Sequence, residues 1–345
     1  MVSRCRCAFV PTSVLDRFAV DLTLSETLRQ AFQDTAQHAS GWRSQRTSIS
    51  PAARHAKAKP QGANPSLRPE ILIFDSRHSS TLPGNHIAIA DPYQEETAHR
   101  IHQNIQSILL FYKSIFNRNS VDNNGMGIFT SIHYGNSYCN AYWNGSQMVI
   151  GDGDGEIFTD FAFSDDVLVH ELTHGVTQYT LGLGFTGEPG ALNESLSDIF
   201  SAVYRQWRLR QSSQLADWTI GSTVLGQSAR KMGYTCLRSL SEPDSPTSLM
   251  RLPGHMRDWD PNGDPHINSG IPSQAFYRAA MQVGGNTWDR VALIWYSAMA
   301  NGRRQPNMTF AEFASATITR ASALFRSNAA VPKSIENSWR HVGVI

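Results

Sequence analysis

The sequence predicts an α+β protein of two lobes, β-rich at the amino end and mainly α-helical at the carboxy end, with a cleft between them. Three observations carry that reading. Short strand-like apolar runs dominate up to about residue 150. Through most of the second half, apolar residues recur near every 3.6 positions. Between the two lies Asp166-Val-Leu-Val-His-Glu-Leu-Thr-His, followed by Asn193-Glu-Ser-Leu-Ser-Asp, whose metal-binding side chains are spaced to share helix faces. The expected boundaries are 1–68 for an amino-terminal segment and linker, 69–185 for the β-rich lobe including the His-Glu-x-x-His helix, and 186–345 for the helical lobe.

The elements follow in order. Val14-Leu-Asp-Arg-Phe predicts a short apolar helix and residues 25–37 a second; 43–69 is a basic Ser/Ala/Pro-rich stretch, as a protease-sensitive linker would be. Ile71-Leu-Ile-Phe and Ile87-Ala-Ile read as strands, while Ile101, Ile105, Ile108, Leu109 and Tyr112 line one face of a helix. Residues 128–134 and then 140–150 read as a hairpin turning at Asn144-Gly145 and closed by Gly151-Asp-Gly-Asp-Gly. Helical spacing returns over 196–208, 274–283, 288–301 and 310–327.

At 345 residues there is room for both lobes and a small extra segment. With 41% hydrophobic residues, 17% charged and a formal net charge of +1, the composition is that of a soluble globular protein, expected to be a monomer with no nucleic-acid or membrane partner. The charge is uneven: residues 1–68 hold ten Lys/Arg against four Asp/Glu, a net +6, which leaves the rest at −5. That asymmetry predicts either docking of the basic segment on the acidic body or a disordered basic tail. Four cysteines, Cys5, Cys7, Cys139 and Cys236, are too few for a disulfide framework in a chain of this length. No apolar run nears the roughly 18 residues of a membrane helix, and Met-Val-Ser-Arg-Cys-Arg-Cys lacks the apolar core of a signal peptide. The expected location is the cytoplasm or, by a non-classical route, outside the cell.

The chemistry begins with His170 and His174, four apart and therefore one above the other on a helix face, where both imidazoles can reach one ion. Catalytic zinc takes three protein ligands and leaves a position for water. Glu194, opening a second apolar-periodic run, supplies the third ligand from a first helical turn, and Asp198 one turn on can accept the remaining ring N–H of a ligating histidine. Glu171 follows the first histidine and points roughly 100° round the helix, beside the ion, where a carboxylate can take a proton from metal-bound water.

His170-Glu-x-x-His174 with Asn193-Glu-x-x-Ser197-Asp198 resembles the thermolysin-like zinc metallopeptidases, family M4, and the resemblance runs from about Leu82-Pro-Gly to Ser338-Trp-Arg-His-Val-Gly-Val. It implies the thermolysin-like two-lobe fold with the zinc site in the cleft. It also implies a neutral endopeptidase acting on peptides and proteins, cutting on the amino side of Leu, Ile or Phe. The opening Cys7-Ala-Phe-Val-Pro looks like the short propeptide of the protealysin branch, so the chain is expected as a zymogen whose own propeptide is a partner. Cys7, or Cys5, can then act as a thiolate on the open zinc position of the precursor, or the segment makes only a small buried apolar contact with the cleft.

By the same resemblance, Asn140 and Ala141 hold the substrate amide, Arg238 donates to the substrate carbonyl on the leaving-group side, Leu237 and Val167 build an apolar specificity pocket, and His266 stabilises the tetrahedral intermediate. Three departures stand out. Pro261 occupies the place of the aspartate that orients the histidine, leaving Asp260 or Asp264 to substitute. Phe185 stands where a tyrosine assists the oxyanion. Arg205, Thr219 and Ser222 replace three glutamates of a calcium pair whose other carboxylates match Asp166 and Asp217, so the calcium pair is expected to be absent and Arg205 to pair with Asp166 or Asp217. Two other readings share the metal helices: a zinc aminopeptidase, which needs an acidic anchor for the substrate amine, and a catalytically weakened zinc protein that binds peptides.

Overall fold

Five short strands form a mixed sheet in the order β2-β1-β3-β5-β4: β1 (Ile71–Asp75), β2 (Asn85–Ile87), β3 (Ile128–Ile132), β4 (Ala141–Trp143) and β5 (Met148–Ile150). The computed structural model describes residues 8–48 (backbone only for 39–48), 68–89, 96–300 and 303–345. β1 runs parallel to β3, and β3 to β5, which requires crossover connections; a long helix between β1 and β3 provides one. The hairpin at Asn144-Gly145 is present, pairing Tyr142 with Val149 and closed by the Asn144 amide donating to the Gln147 carbonyl at 3.0 Å. Its neighbour β3 lies parallel to β5, a long-range pairing that no local turn signal encodes. β4 is an edge, so its outer backbone groups bond to partners outside the sheet.

Residues 12–48 form two helices, α1 (Thr12–Ala19) and α2 (Glu26–Ser48). The second continues past residue 37 into the stretch read as linker; residues 49–67 lie outside the described residues. Phe18 and Phe32 pack 5.1 Å apart and both meet the Phe158 ring edge-on. Docking of this segment is therefore built on buried aromatic surface. Arg17 Nη2 adds a polar contact, donating to the Leu249 carbonyl at 3.2 Å.

The predicted helix after β1 is α3 (Glu96–Phe116), burying Ile101, Ile105, Ile108, Phe111 and Tyr112. The His-Glu-x-x-His helix is α4 (Asp165–Tyr179), buried continuously from Asp166 to Thr177. It packs on α5 (Gly187–Leu209), which starts well before Glu194. Glu194 is thus mid-helix and not in a first turn, a correction with a plain cause: Gly187, Pro189 and Gly190 mask the helix start, although proline is well tolerated there.

Beyond α5 a two-stranded ribbon, β6 (Thr219–Ile220) with β7 (Arg238–Ser239), encloses the short α6 (Gln227–Lys231). The remaining helices are α7 (Pro265–Asn268), α8 (Gly270–Val283), α9 (Val291–Ala300), α10 (Phe310–Leu324) and α11 (Ala330–His341). Trp295 and Trp339 stack at 5.9 Å in their core, and Thr309 with Glu312 forms a reciprocal cap at the start of α10.

Candidate functional site

His170 and His174 on α4 and Glu194 on α5 bring three buried ligand atoms within 4.8 Å of one another. The histidine Nε2 atoms are 3.1 Å apart, and Glu194 Oε2 lies 3.3 Å from His170 Nε2 and 3.7 Å from His174 Nε2. Each outer nitrogen is held: His170 Nδ1 by Asp198 Oδ1 at 2.9 Å, His174 Nδ1 by Asn193 Oδ1 and the Ser197 hydroxyl, both at 3.1 Å. Oxygens at both Nδ1 atoms leave the two Nε2 lone pairs turned inward on a carboxylate, the two-nitrogen, one-oxygen donor set of a catalytic zinc. These residues fit that ion. Asn193 and Ser197 carried no assigned role in the sequence, although both stand in the motif.

Glu171 is fully buried beside this cluster, and the Trp143 amide on β4 donates to its Oε2 at 2.6 Å. That bond ties the carboxylate to the sheet edge, a constraint invisible in sequence because it joins residues 28 apart. Asp198 faces two ways. Besides His170 it receives Arg238 Nε and Nη2 on its two oxygens, each at 2.6 Å. Burial would raise the Asp198 pKa, but the paired guanidinium and the imidazole hold it well below the usual carboxylate range.

His266 sits at the start of α7, its Nδ1 2.7 Å from Asp264 Oδ1 and its Nε2 3.2 Å from Glu194 Oε2. Asp264 also caps that helix, accepting from the His266 amide at 2.9 Å. Asp260, the other aspartate considered, braces the preceding loop instead: its carbonyl accepts from Asn268 Nδ2 at 2.7 Å. Burial would lower the His266 pKa, yet Glu194 and Asp264 together raise it.

Two family models match the chain, the thermolysin metallopeptidase catalytic domain over residues 65–178 and the thermolysin metallopeptidase alpha-helical domain over residues 181–344. The chain belongs to the thermolysin family of metallopeptidases. This metallopeptidase is 36% identical over 355 residues to an "Extracellular metalloprotease" of Pectobacterium carotovorum subsp. carotovorum, spanning 100% of this chain and 98% of that protein. It is 38% identical over 285 residues to "Protease PrtS" of Photorhabdus sp. (strain Az29), spanning 79% and 76%. Its structure matches the precursor of protealysin, a metalloproteinase from Serratia proteamaculans, with a TM-score of 0.81 and 32% identity over 98% of this chain and 99% of that one. It is a zinc-dependent endopeptidase of the protealysin-like branch, carrying a propeptide.

That propeptide lies in the metallopeptidase's own cleft. The Phe9 amide donates to the Ala141 carbonyl at 2.9 Å, and Arg238 Nη1 donates to the Phe9 carbonyl at 3.0 Å. Asn140 takes both groups of the next residue: its Oδ1 accepts from the Val10 amide at 2.8 Å, its Nδ2 donates to the Val10 carbonyl at 2.7 Å. His266 Nε2 lies 2.9 Å from the Ala8 carbonyl oxygen. Both ring nitrogens of His266 therefore face acceptors, an arrangement that suits the imidazolium.

The Phe9 ring is fully buried, edge-on to His170 at 5.3 Å and to Phe161 at 6.4 Å, with the Arg238 guanidinium 4.9 Å from its centre. Gly221, at φ +72°, closes the pocket: a Cβ there would lie 2.8 Å from Leu237 Cβ and 3.3 Å from Phe9 Cε1. Val167 is fully buried in the hydrophobic core to which Phe9 also belongs. Phe161 and Gly221 were missed because pocket lining has no sequence period. Cys5 and Cys7 lie outside the described residues, and Cys139 and Cys236 are buried free thiols.

Phe185 is half-buried ahead of α5, where a Cβ on Gly190 would lie 3.0 Å from its carbonyl oxygen; its side chain has no hydroxyl to offer. Where the resemblance sets a calcium pair, Arg205 Nη1 donates to both Asp166 oxygens at 3.0 and 2.9 Å, and Nη2 to the Asp217 and Thr219 carbonyls at 2.9 and 2.5 Å. The Gly221 amide adds a bond to Asp166 Oδ2 at 2.9 Å.

Proposed function

We propose that His170, His174 and Glu194 hold one zinc ion and that Glu171 takes the proton of the attacking water and passes it to the leaving nitrogen. Bound zinc supplies a water acidified toward about pH 7 and an electrophile for the carbonyl. Every other task falls to side chains of this chain. Asp264 fixes the His266 ring so that Nε2 faces the oxygen on which charge develops. Ala141 and Asn140 grip the substrate backbone, and Arg238, steadied by Asp198, donates to the carbonyl after the cut. Val167, Leu237, Phe161 and Gly221 shape a pocket for the side chain that follows the cut, which favours Phe, Leu or Ile there. The observation that carries this reading is that one short segment, Ala8 to Val10, meets all four backbone-gripping groups at once.

Residues 1–68 are the propeptide and linker, and 69–185 and 186–345 the two lobes. Arg205 stands in for the calcium pair, since a guanidinium repels a cation and uses the Asp166 oxygens itself. The relative named an extracellular metalloprotease supports action outside the cell; no helix among the described residues is long and apolar enough to cross a membrane. Peptides and proteins are its substrates and the working form is a monomer. Of the two precursor readings, a thiolate of Cys7 or Cys5 on the open zinc position and a small buried apolar contact with the cleft, the buried Phe9 ring supports the second; a Cys7→Ser precursor as inactive as the parent would remove the first.

The test compares the protein with its Glu171→Gln variant, each trimmed of its propeptide by an added protease, on a peptide containing Ala-Phe-Val. Equal zinc content with a loss of roughly 10²–10⁴-fold in kcat supports the assignment. A parent protein that binds zinc and the peptide yet cuts nothing would instead establish the weakened peptide-binding reading.

A further inference from the structure

We propose that the Ala8–Phe9 peptide bond is held as a substrate bond and is cut by the site it blocks. This inference rests on the endopeptidase reading and adds a defined first cut in the enzyme's own chain. A segment that merely plugs a cleft need only fill it. Here the direction and the register both match cleavage. The carbonyl before the bond, that of Ala8, faces His266 Nε2 at 2.9 Å, while His266 Nε2 is 3.2 Å from the metal-binding oxygen of Glu194. The amide after the bond, that of Phe9, is anchored on Ala141, and the next carbonyl is on Arg238. The side chain after the bond fills the apolar pocket. A reversed strand would put an amide where His266 needs a carbonyl.

The bound stretch ends at once, because the Pro11 carbonyl accepts from the Val14 amide at 3.1 Å to start α1. Among the described residues only Ala8 to Val10 enter the gripping groups, so the register is fixed from the α1 side as well. In the cut, the water oxygen adds to the Ala8 carbonyl carbon and the bond from that carbon to the Phe9 nitrogen breaks. Glu171 carries the two water protons in turn to that nitrogen, which leaves as an ammonium group, and Ala8 ends as a carboxylate. The new amine stays in place: Phe9 is still joined to α1 and α2, whose Phe18 and Phe32 remain packed on Phe158. The first cut therefore leaves the pocket filled, and opening the cleft takes a second cut between residues 49 and 67.

The experiment uses the full chain stripped of metal, then given one equivalent of zinc, with intact mass and the new amino terminus followed in time. A species beginning at Phe9 is expected, at a rate unchanged over a 100-fold range of protein concentration, absent in Glu171→Gln and at least tenfold slower in Phe9→Gly. In the metal-free protein the Phe9 and Val10 amides are expected to exchange at least 100-fold slower than in a free peptide, which reads the register without any catalysis. Unprotected amides, or a rate proportional to concentration, would overturn the proposal. So would an intact Ala8–Phe9 bond in a preparation that cuts a separate Ala-Phe-Val peptide after trimming between 49 and 67; the endopeptidase reading would then survive alone. Zinc-loaded protein that cuts neither would overturn both.

Discussion

Two arginine–aspartate pairs do different work in this molecule, one joined through two guanidinium nitrogens and the other through one. Arg238 and Asp198 are 1% and 2% exposed, Arg205 and Asp166 15% and 3%, and in both pairs the guanidinium touches both carboxylate oxygens. What separates them is where the remaining groups point. Asp198 also holds the His170 imidazole and Arg238 the Phe9 carbonyl, so on the proposed mechanism that pair transmits position from ligand to substrate. Arg205 spends its other nitrogen on the Asp217 and Thr219 carbonyls beside β6, tying α5 and the start of α4 to the ribbon. One is machinery and the other a clamp, and the residue types alone do not tell them apart.

The largest effect should come from breaking the cleft pair. Arg238→Met leaves Asp198 buried without its counter-charge, which costs about 3–5 kcal/mol of stability, and removes a donor to substrate. Urea unfolding should register the first effect and kcat/KM on an Ala-Phe-Val peptide the second, with KM rising. A variant that lost stability but kept its KM would make Arg238 a clamp as well, and the contrast would fail. Arg205→Met should cost less, about 1–3 kcal/mol, because Asp166 keeps its bond from the Gly221 amide and the arginine is partly solvated. Its KM on the same peptide should match the parent. Arg205→Glu sharpens the contrast further: with Asp166 and Asp217 it restores carboxylates around one point, so millimolar calcium should raise the Tm of this variant by several degrees while leaving the parent unmoved.

The legible parts of the site are those encoded by local spacing. His170 and His174 share a helix face by arithmetic, and Glu171 falls beside them by the same arithmetic. Arg205 opposite Asp166 followed from charge: a cation in place of a glutamate cannot help bind calcium. Where the answer depended on loop geometry, the sequence left it open. Asp260 and Asp264 are both near His266 in the chain, and only the folded loop, braced by Asp260 and Asn268, turns Asp264 onto the ring. Parallel pairing of β3 with β5, the Trp143 amide on Glu171 and the Gly221 wall are all long-range contacts with no periodic trace. The propeptide was recognisable from Cys7-Ala-Phe-Val-Pro, but which of its residues enters the pocket is a matter of register.

Asp160 supplies the smallest and most telling comparison, a half-buried carboxylate with no arginine at hydrogen-bond distance among the described residues. It caps the 3₁₀ turn at Phe161–Phe163, accepting from the Ala162 amide at 2.8 Å. Burial, with the Asp152 charge adding to it, pushes its pKa up from 3.8 to about 6, against a lowering by that amide bond, His133 and Arg100. The sign differs from that of Asp198. A raised carboxylate pKa means that the folded state binds the proton more tightly. Its stabilising contribution is thus full below about 3.8 and is lost as pH rises through about 6. An asparagine in its place cannot ionise and keeps the capping oxygen. In a Glu171→Gln background, which prevents self-digestion, Asp160→Asn should therefore gain on the parent between about pH 4 and pH 7. The gain is about 1 kcal/mol after allowance for solvent screening. Urea unfolding at half-unit pH steps reads the difference. A constant offset across that range would mean that Asp160 titrates as in water, and that a guanidinium is not what separates the behaviour of Asp198 from that of an ordinary buried carboxylate.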